Sequence, residues 1–172
     1  DIMARAIAAV REAIERRVPG VIGIHLEGPF LNADRKGVHD AARFGALDEA
    51  AFDLLTSLGV GRTLVTLAPE KTTPSMIRRL TDAGVVVSAG HTNATYAETR
   101  AALDAGLSGF THLFNAMSPL TSRAPGVVGA ALEDQSSWCG LIVDGRHVDP
   151  AVLRIALRCK PVEKFMLVTD AM

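Results

Sequence analysis

Short apolar, β-branched runs alternate along the chain with segments of helical periodicity, and this alternation restricts the fold more than any other feature of the sequence. The pattern predicts six strands, at 21–26, 62–67, 85–89, 109–113, 139–143 and 165–169. Strands that alternate with helices are typical of βαβ units, whose neighbouring strands run parallel. The sequence therefore predicts an α/β fold built on a parallel sheet.

Helix signals occupy the segments between these strands. The clearest helix starts are Asp48, Thr73 with Pro74, Thr95 with Glu98, and Asp149 with Pro150. The first three helices are expected to stop at Gly59, Gly84 and Gly106. The segment 117–137 is rich in Ala, Gly and Pro and has no clear period. We therefore expect it to be a functional loop with about one helical turn.

Polar residues stand at or just past the predicted carboxyl ends of five strands, namely Glu27, His91, His112, Asp144 and Asp170. The alternation alone does not distinguish an open doubly wound sheet from a (β/α)8 barrel. Barrels place functional residues at many strand ends, whereas open sheets concentrate them at one switch point, so this placement favours a (β/α)8 TIM-type barrel. Six strands and 172 residues fall short of a complete barrel of about 250 residues. We expect 1–172 to be an incomplete barrel segment of a longer chain.

The charge balance and the cysteine content exclude several classes of protein. Eighteen basic and nineteen acidic residues give a net charge of −1, which argues against a nucleic-acid partner or a membrane surface. No apolar run approaches the roughly 20 residues that span a bilayer. Cys139 and Cys159 permit at most one disulfide, so we expect a globular protein of the reducing cytoplasm.

Glu27, His91 and His112 form the candidate metal site. Each follows an apolar strand, so a barrel would bring all three to one rim across gaps of 64 and 21 residues. One carboxylate and two neutral imidazoles suit a catalytic zinc ion with positions open for water, and they equally suit iron, manganese or cobalt. The alternative is that each is a polar residue that caps its strand.

Asp170 is the candidate general base, since a carboxylate beside a metal site can take a proton from water and pass it to a leaving nitrogen. The alternative role is that of a helix N-cap. His25 lies two residues before Glu27 and shares its face of the strand. A hydrogen-bonded core histidine is the favoured interpretation of His25, and a partner that orients a metal ligand is the alternative.

The predicted rim loops carry candidates for substrate binding. His39, Arg123 and His147 would suit an anionic substrate, and the planar guanidinium of arginine matches two oxygens of a phosphate. Asn115 and Ala116 closely follow the fourth strand, where an amide or a backbone group could contact a polar substrate. Solvated surface charge remains the alternative for each charged candidate.

Five motifs, in order, resemble a known family. They read IHLEGPF at 24–30, AGHT at 89–92, THLFNAM at 111–117, VDGRHV at 143–148 and LVTDA at 167–171. Over 21–172 the chain is thereby similar to the N-acetylglucosamine-6-phosphate deacetylase family of the amidohydrolase superfamily. The resemblance implies that the six strands are the third to eighth of the barrel, with the first two strands and a small β-sandwich domain absent from this chain.

The same resemblance implies roles for individual residues. Glu27, His91 and His112 match the metal ligands, and Asp170 matches the catalytic acid/base. The positions that match substrate-binding residues are Val38, His39, Asn115, Ala116, Arg123, Asp144, Gly145, Arg146 and His147. A homodimer is also implied, in which Arg123 reaches the sugar phosphate bound by the neighbouring subunit.

The implied reaction is metal-dependent hydrolysis of the acetamide of N-acetylglucosamine 6-phosphate to glucosamine 6-phosphate and acetate, within amino-sugar catabolism and cell-wall sugar recycling. Two alternatives stay open. One is an amidohydrolase with a different amide substrate, and the other is a non-catalytic barrel that binds an amino-sugar phosphate as a sensor. The intact metal and acid/base set argues against a sensor, because binding alone does not require it.

Overall fold

The computed structural model describes residues 2–171, so Asp1 and Met172, the ends of the expected segment, lie outside the described residues. The described chain contains the helices α1 (Ile2–Glu15), α2 (Glu49–Thr56), α3 (Pro74–Asp82), α4 (Tyr96–Asp104), α5 (Gly126–Glu133) and α6 (Pro150–Cys159). Its strands are β1 (Gly23–Glu27), β2 (Arg62–Leu67), β3 (Val86–Ala89), β4 (Gly109–Phe110), β5 (Trp138–Ile142) and β6 (Phe165–Val168). Within 2–171, no helix combines the length and the apolar character needed to cross a membrane.

The strands form one sheet in the order β1-β2-β3-β4-β5-β6, and every neighbouring pair is parallel. Because strand order follows chain order without reversal, the sheet lacks the switch point of a doubly wound fold. The sheet curls into a half-barrel. This confirms the prediction of an α/β barrel segment and removes the open doubly wound sheet from consideration.

The two faces of the sheet differ in chemistry, because successive residues of a strand point to opposite sides. Val65, Leu67 and Val87 pack into the hydrophobic core beneath the helices. Thr66 and Ser88 point the other way and hydrogen-bond on the inner face of the half-barrel. The outer face therefore packs against the helices, and the inner face carries polar groups beside apolar side chains such as Leu64 and Val86.

The predicted helix starts are confirmed by hydrogen bonds at the N-termini. Side-chain oxygens accept a backbone N–H at the four predicted caps, Asp48, Thr73, Thr95 and Asp149. Thr95 and Glu98 complete the capping box. The predicted stops, Gly59, Gly84 and Gly106, follow the helix ends with φ of +72°, +85° and +107°. The N-terminal caps fix where each helix begins, and the glycines fix where the chain turns back towards the sheet.

The segment 117–137 differs from its prediction as a loop with about one helical turn. It contains α5, a helix of eight residues. Every residue from Gly126 to Leu132 is buried, so α5 has no polar face and therefore no amphipathic period that sequence could reveal.

The strand predicted at 109–113 is also shorter than expected. It ends at Phe110 because His112 adopts a φ of +34°, which takes the backbone out of the extended region. The polar end of this segment therefore belongs to the rim and not to the sheet.

Candidate functional site

Side chains from three strand ends converge on one point at the rim of the half-barrel. Oε1 of Glu27 lies 3.1 Å from Nε2 of His91 and 3.0 Å from Nε2 of His112. The two Nε2 atoms lie 3.1 Å apart. Both histidines are buried, while the Glu27 side chain is 21% exposed. Within the described chain, the three predicted metal ligands therefore lie close enough together to hold one ion.

The backbone leaves the sheet abruptly at both histidines. His91 lies two residues past β3 with a φ of +49°, and His112 lies two residues past β4 with a φ of +34°. Left-handed backbone is uncommon for residues other than glycine and costs on the order of 1–3 kcal/mol, so it persists only where surrounding contacts hold it. The two rings meet edge to face, with centroids 4.9 Å apart.

The hydrogen bonding of His91 determines which of its nitrogens is free. Nδ1 lies 2.7 Å from the carbonyl oxygen of Arg35, which can only accept, so Nδ1 carries the proton of the neutral ring. Nε2 then presents a lone pair to Oε1 of Glu27, and two lone pairs in contact repel unless a cation lies between them. Zinc fits this arrangement, because bonds of about 2.0–2.1 Å in tetrahedral geometry separate neighbouring ligands by a little over 3 Å.

The electrostatics of the trio also favour a cation. Burial would raise the pKa of Glu27, but the close contacts of its carboxylate with the imidazoles of His112 and His91 hold it well below its usual range. Burial acts to lower the pKa of His112, yet its hydrogen bond to Glu27 and the charge of that carboxylate raise the pKa above the ordinary value. Nδ1 of His112 is buried and, among the described residues, has no hydrogen-bond partner. Glu27 thus supplies a fixed negative charge on which positive charge is stabilised.

Asp170 lies on the same cavity as Glu27 and His112. The concave side of the half-barrel forms a cavity of about 850 Å³, whose lining includes Glu27, His112, Asp170 and His25. Asp170 follows β6 by two residues with a φ of +52°, a third left-handed residue at this rim. The structure therefore brings the candidate base and the candidate metal ligands to one space.

His25 belongs to a chain of hydrogen bonds across the inner face of the sheet. Its Nε2 lies 2.8 Å from the hydroxyl of Thr66, which lies 2.7 Å from that of Thr111. The Thr111 hydroxyl lies 2.7 Å from that of Ser88. Burial lowers the pKa of His25, which favours the neutral ring. These contacts support the interpretation of His25 as a hydrogen-bonded histidine of the barrel interior.

Of the two candidates in the loop after β1, His39 lies against the trio. Its ring meets that of His91 edge to face, with centroids 4.7 Å apart, and burial lowers its pKa. Val38 is 75% exposed. A group bound beside the trio would therefore meet the imidazole of His39, whereas Val38 would contact it only where a substrate extends outward.

The candidates from Asp144 to His147 form a tight, exposed turn after β5. Oδ1 of Asp144 accepts the backbone N–H groups of His147 and Arg146, at 3.0 and 2.9 Å, and Oδ2 lies 2.7 Å from Nδ1 of His147. These hydrogen bonds hold the pKa of Asp144 well below its usual range. Gly145 supplies the φ of +73° that the turn requires. Asp144 thereby fixes the orientation of the His147 ring.

The remaining candidates lie on the loop between β4 and α5. Nδ2 of Asn115 lies 3.4 Å from each of two carbonyl oxygens of its own turn. Ala116 has a φ of +51°, and its carbonyl accepts the N–H of Thr92, which joins the loops after β3 and β4. Arg123 is exposed just before α5. Among the described residues, no hydrogen bond or ion pair joins Arg123 to the trio.

The sequence did not reveal a network of hydrogen bonds that Glu70 forms with residues next to His91. Glu70 stands three residues past the end of β2, a strand for which no functional candidate was predicted. It accepts hydrogen bonds from Asn32, Thr92 and Asn93. Its position just past a strand end is the signal that could have identified it, since the other rim candidates occupy the same kind of position. The Arg35 carbonyl, which binds His91, carries no sequence signal.

Comparison with known proteins identifies the family to which the chain belongs. A model described as the amidohydrolase family matches residues 2–165. The chain is 48% identical over 172 residues to N-acetylgalactosamine-6-phosphate deacetylase of Shewanella sp. (strain ANA-3), and the match covers 100% of this chain and 44% of that protein. It is 45% identical over 164 residues to human N-acetylglucosamine-6-phosphate deacetylase, and this match covers 88% of this chain and 39% of that protein. The chain thus spans less than half the length of these relatives.

A solved structure with the same fold comes from Mycobacterium smegmatis. It is a variant of N-acetyl-D-glucosamine-6-phosphate deacetylase in complex with N-acetyl-D-glucosamine-6-phosphate. The two structures agree with a TM-score of 0.91 at 39% sequence identity, over 99% of this chain and 45% of that chain.

Proposed function

Because the chain belongs to the amidohydrolase family, we propose that it forms the metal-binding part of an N-acetylglucosamine-6-phosphate deacetylase. The proposed reaction is hydrolysis of the acetamide of N-acetylglucosamine 6-phosphate to glucosamine 6-phosphate and acetate. The observation that carries the proposal is the convergence of Glu27, His91 and His112, two of which, Glu27 and His112, line a cavity together with Asp170. The names of the relatives agree with this reaction.

The trio would hold a divalent metal ion, with zinc as the first choice and iron, manganese or cobalt as alternatives. Such an ion lowers the pKa of a water molecule and polarises an amide carbonyl. Glu27 contributes the charge of its carboxylate, and His91 and His112 contribute Nε2 lone pairs. The hydrogen bond from Nδ1 of His91 to Arg35 keeps the free lone pair of His91 on the correct side of the ring.

Asp170 would move the proton in this reaction. Its carboxylate lines the cavity beside Glu27 and His112 and is exposed, so water and substrate can reach it. As the general base it accepts a proton from the attacking water, and as the general acid it returns that proton to the leaving amine nitrogen. One carboxylate serves both steps, because the proton that it accepts from water in the first step is the proton that it donates to the amine in the second.

The sugar phosphate would be bound by the surrounding loops. His39 lies against the trio, and the turn of Asp144, Gly145, Arg146 and His147 offers an anchored imidazole beside a guanidinium. Val38, Asn115 and Ala116 complete the proposed substrate contacts. We assign Arg123 to the phosphate held by the second subunit of a homodimer, since its guanidinium is exposed and, among the described residues, forms no hydrogen bond or ion pair with the trio of its own chain.

The setting of the enzyme completes the proposal. The protein would act in the cytoplasm, in amino-sugar catabolism and cell-wall sugar recycling. Cys139 and Cys159 are free thiols, which agrees with a reducing compartment. The first two barrel strands and the small β-sandwich that the resemblance implies stay a prediction.

A second candidate substrate is N-acetylgalactosamine 6-phosphate. The relative that is 48% identical to this chain carries that sugar phosphate in its name. The two sugars differ only in the orientation of one hydroxyl group at C4, far from the amide, so the trio and Asp170 serve either one. The choice depends on the loops that contact the sugar ring, and a comparison of kcat/KM for the two epimers separates the candidates.

The deciding experiment measures acetate release by the complete protein loaded with zinc. The substrates are the 6-phosphates of N-acetylglucosamine and N-acetylgalactosamine beside unphosphorylated N-acetylglucosamine, each with and without a chelator. We expect chelator-sensitive release from the phosphorylated sugars alone. Release from the unphosphorylated sugar at an equal rate would contradict the phosphate site. Binding of the phosphorylated sugar without metal uptake or acetate release would instead identify a sensor.

A further inference from the structure

Glu70 joins two of the loops that carry the candidate metal ligands. Its Oε1 accepts hydrogen bonds from Nδ2 of Asn32, at 2.9 Å, and from the backbone N–H of Asn93, at 2.7 Å. Its Oε2 accepts the hydroxyl of Thr92, at 2.5 Å. Asn32 lies on the loop after β1, and Thr92 and Asn93 lie on the loop after β3. One carboxylate after β2 therefore binds the loops on both sides of its own strand.

Each of these loops also contacts His91 directly. The backbone N–H of Asn32 donates to the carbonyl oxygen of His91, at 2.9 Å. Thr92 and Asn93 are the two residues that follow His91. The left-handed φ of +49° at His91 persists only where surrounding contacts hold the backbone. These contacts come from Asn32 on one side and from Thr92 and Asn93 on the other, and all three residues hydrogen-bond to Glu70.

The network extends to the proton of the His91 ring. Oδ1 of Asn32 accepts the N–H of Asp34 and caps the short turn Ala33–Arg35. Nε of Arg35 donates to Oδ1 of Asn93, at 2.5 Å. Both ends of Arg35 are thus fixed by residues that bind Glu70, and its carbonyl oxygen accepts Nδ1 of His91.

We propose that Glu70 is a positioning residue for His91: through Asn32, Asn93 and Arg35 it keeps the proton on Nδ1 and the lone pair of Nε2 directed at Glu27. Metal ligands of this kind depend on partners that orient the imidazole, and loss of such a partner typically weakens metal binding by about 10- to 100-fold. The proposal rests on the metal site of the proposed function, but not on the identity of the substrate.

A purely structural clamp makes a different prediction from a positioning residue. If Glu70 only stabilised the loops, its replacement would lower thermal stability and leave the metal affinity of the folded protein unchanged. A positioning residue changes the affinity of the folded protein for metal and changes the hydrogen bond at Nδ1 of His91. The test therefore needs readouts that report on the histidine in protein that is still folded.

The experiment compares Glu70→Gln and Glu70→Ala in the complete protein. Zinc affinity is measured by competition with a chromophoric chelator, and the Nδ1 proton of His91 is followed by its low-field NMR signal, assigned by its absence in His91→Ala. Glu70→Gln keeps one acceptor oxygen for Asn32 and Asn93, whereas Glu70→Ala keeps none. We expect the zinc Kd to rise about 10- to 100-fold in Glu70→Ala and less in Glu70→Gln, with the NMR signal broadened in the same order.

Glu98→Gln is the matched control. Glu98 also accepts a backbone N–H and a threonine hydroxyl, both from Thr95, but it caps α4 away from the trio. Its zinc Kd should equal that of the unsubstituted protein. Asn93→Ala provides a second route to the same contact, because it removes the acceptor of Arg35 while Glu70 remains, and it should raise the zinc Kd in the same direction.

The proposal is overturned if folded Glu70→Gln and Asn93→Ala bind zinc as the unsubstituted protein does and keep the Nδ1 signal of His91. It is equally overturned if Glu98→Gln weakens zinc binding as much as Glu70→Ala does. The proposed function fails separately, when the unsubstituted protein binds zinc tightly but releases no acetate from either sugar phosphate.

Discussion

The Nε2 atoms of His91 and His112 lie 3.1 Å apart and meet the same carboxylate oxygen of Glu27. Neutral His91 cannot donate from this nitrogen, because its proton lies on Nδ1 against Arg35. The contact between the lone pair of His91 and the carboxylate of Glu27 is therefore costly without a cation and favourable with one.

His112→Asn is expected to abolish stable metal binding. It removes one imidazole and leaves only Glu27 and His91 to hold the ion, and two ligands are fewer than the three or more that protein zinc sites use. Bound metal after dialysis, measured by atomic emission, should fall far below one equivalent, and acetate release should fall by more than about 100-fold. His147→Asn, in the exposed turn after β5, should keep its metal. One full equivalent of metal in His112→Asn would remove this residue from the site.

Asp170→Asn is expected to separate metal binding from proton transfer. The amide preserves the size of the side chain but cannot accept and return a proton, so kcat should fall by about 10²- to 10⁴-fold while metal content stays unchanged. Asp149→Asn is the control, since Asp149 only caps α6. Acetate release by Asp170→Asn at the unsubstituted rate would show that another group carries the proton.

Much of the site could be predicted because strand ends are visible in the sequence. Glu27, His91 and His112 each follow an apolar run, and parallel strands bring such positions to one rim. The local signals at helix starts were equally reliable, because a cap such as Asp48 acts within three residues of itself.

The rest could not be predicted, because it depends on contacts between residues distant in sequence. Helix α5 is buried on all sides, so the amphipathic signal that normally identifies a helix is missing. The carbonyl of Arg35 meets His91 across 56 residues, and a backbone group is the same at every position of a sequence. Glu70 acts through three donors on two other loops, and each of those contacts exists only once the loops are folded.

Asp134 is expected to make stability depend on pH under acidic conditions. Burial would raise its pKa, but hydrogen bonds from Ser137 and Ser136 lower it to about 2. A folded pKa below the unfolded value of about 3.9 stabilises the protein above that pH, and the contribution is lost as the pH falls from about 4 towards 2. Asp134→Asn should therefore lower the free energy of unfolding by about 2 kcal/mol near neutral pH, with the difference shrinking below about pH 4.

Urea unfolding in the presence of a chelator, at several pH values, measures this difference without a contribution from metal. Asp104→Asn is the matched control, because Asp104 pairs with the same Arg100 but its side chain is 76% exposed against 13% for Asp134. Its effect should stay below about 1 kcal/mol at every pH. A constant difference between Asp134→Asn and the unsubstituted protein across the acidic range would contradict the assigned pKa.

Gly90, which precedes His91, is expected to tolerate no side chain. A Cβ at this position would lie 2.6 Å from Cγ2 of Thr66 and 3.1 Å from Cβ of Thr111, and these two threonines are fixed by their own hydrogen bond. Gly90→Ala should lower the free energy of unfolding by about 1–3 kcal/mol, measured by urea unfolding, through overpacking of the inner face. Gly45→Ala is the control, since a Cβ there meets no heavy atom within 4 Å, and it should be neutral or stabilising by up to about 1 kcal/mol. Equal stability of the two variants would show that the sheet relaxes around Gly90, and the backbone of His91 would then be less rigidly held than its neighbours indicate.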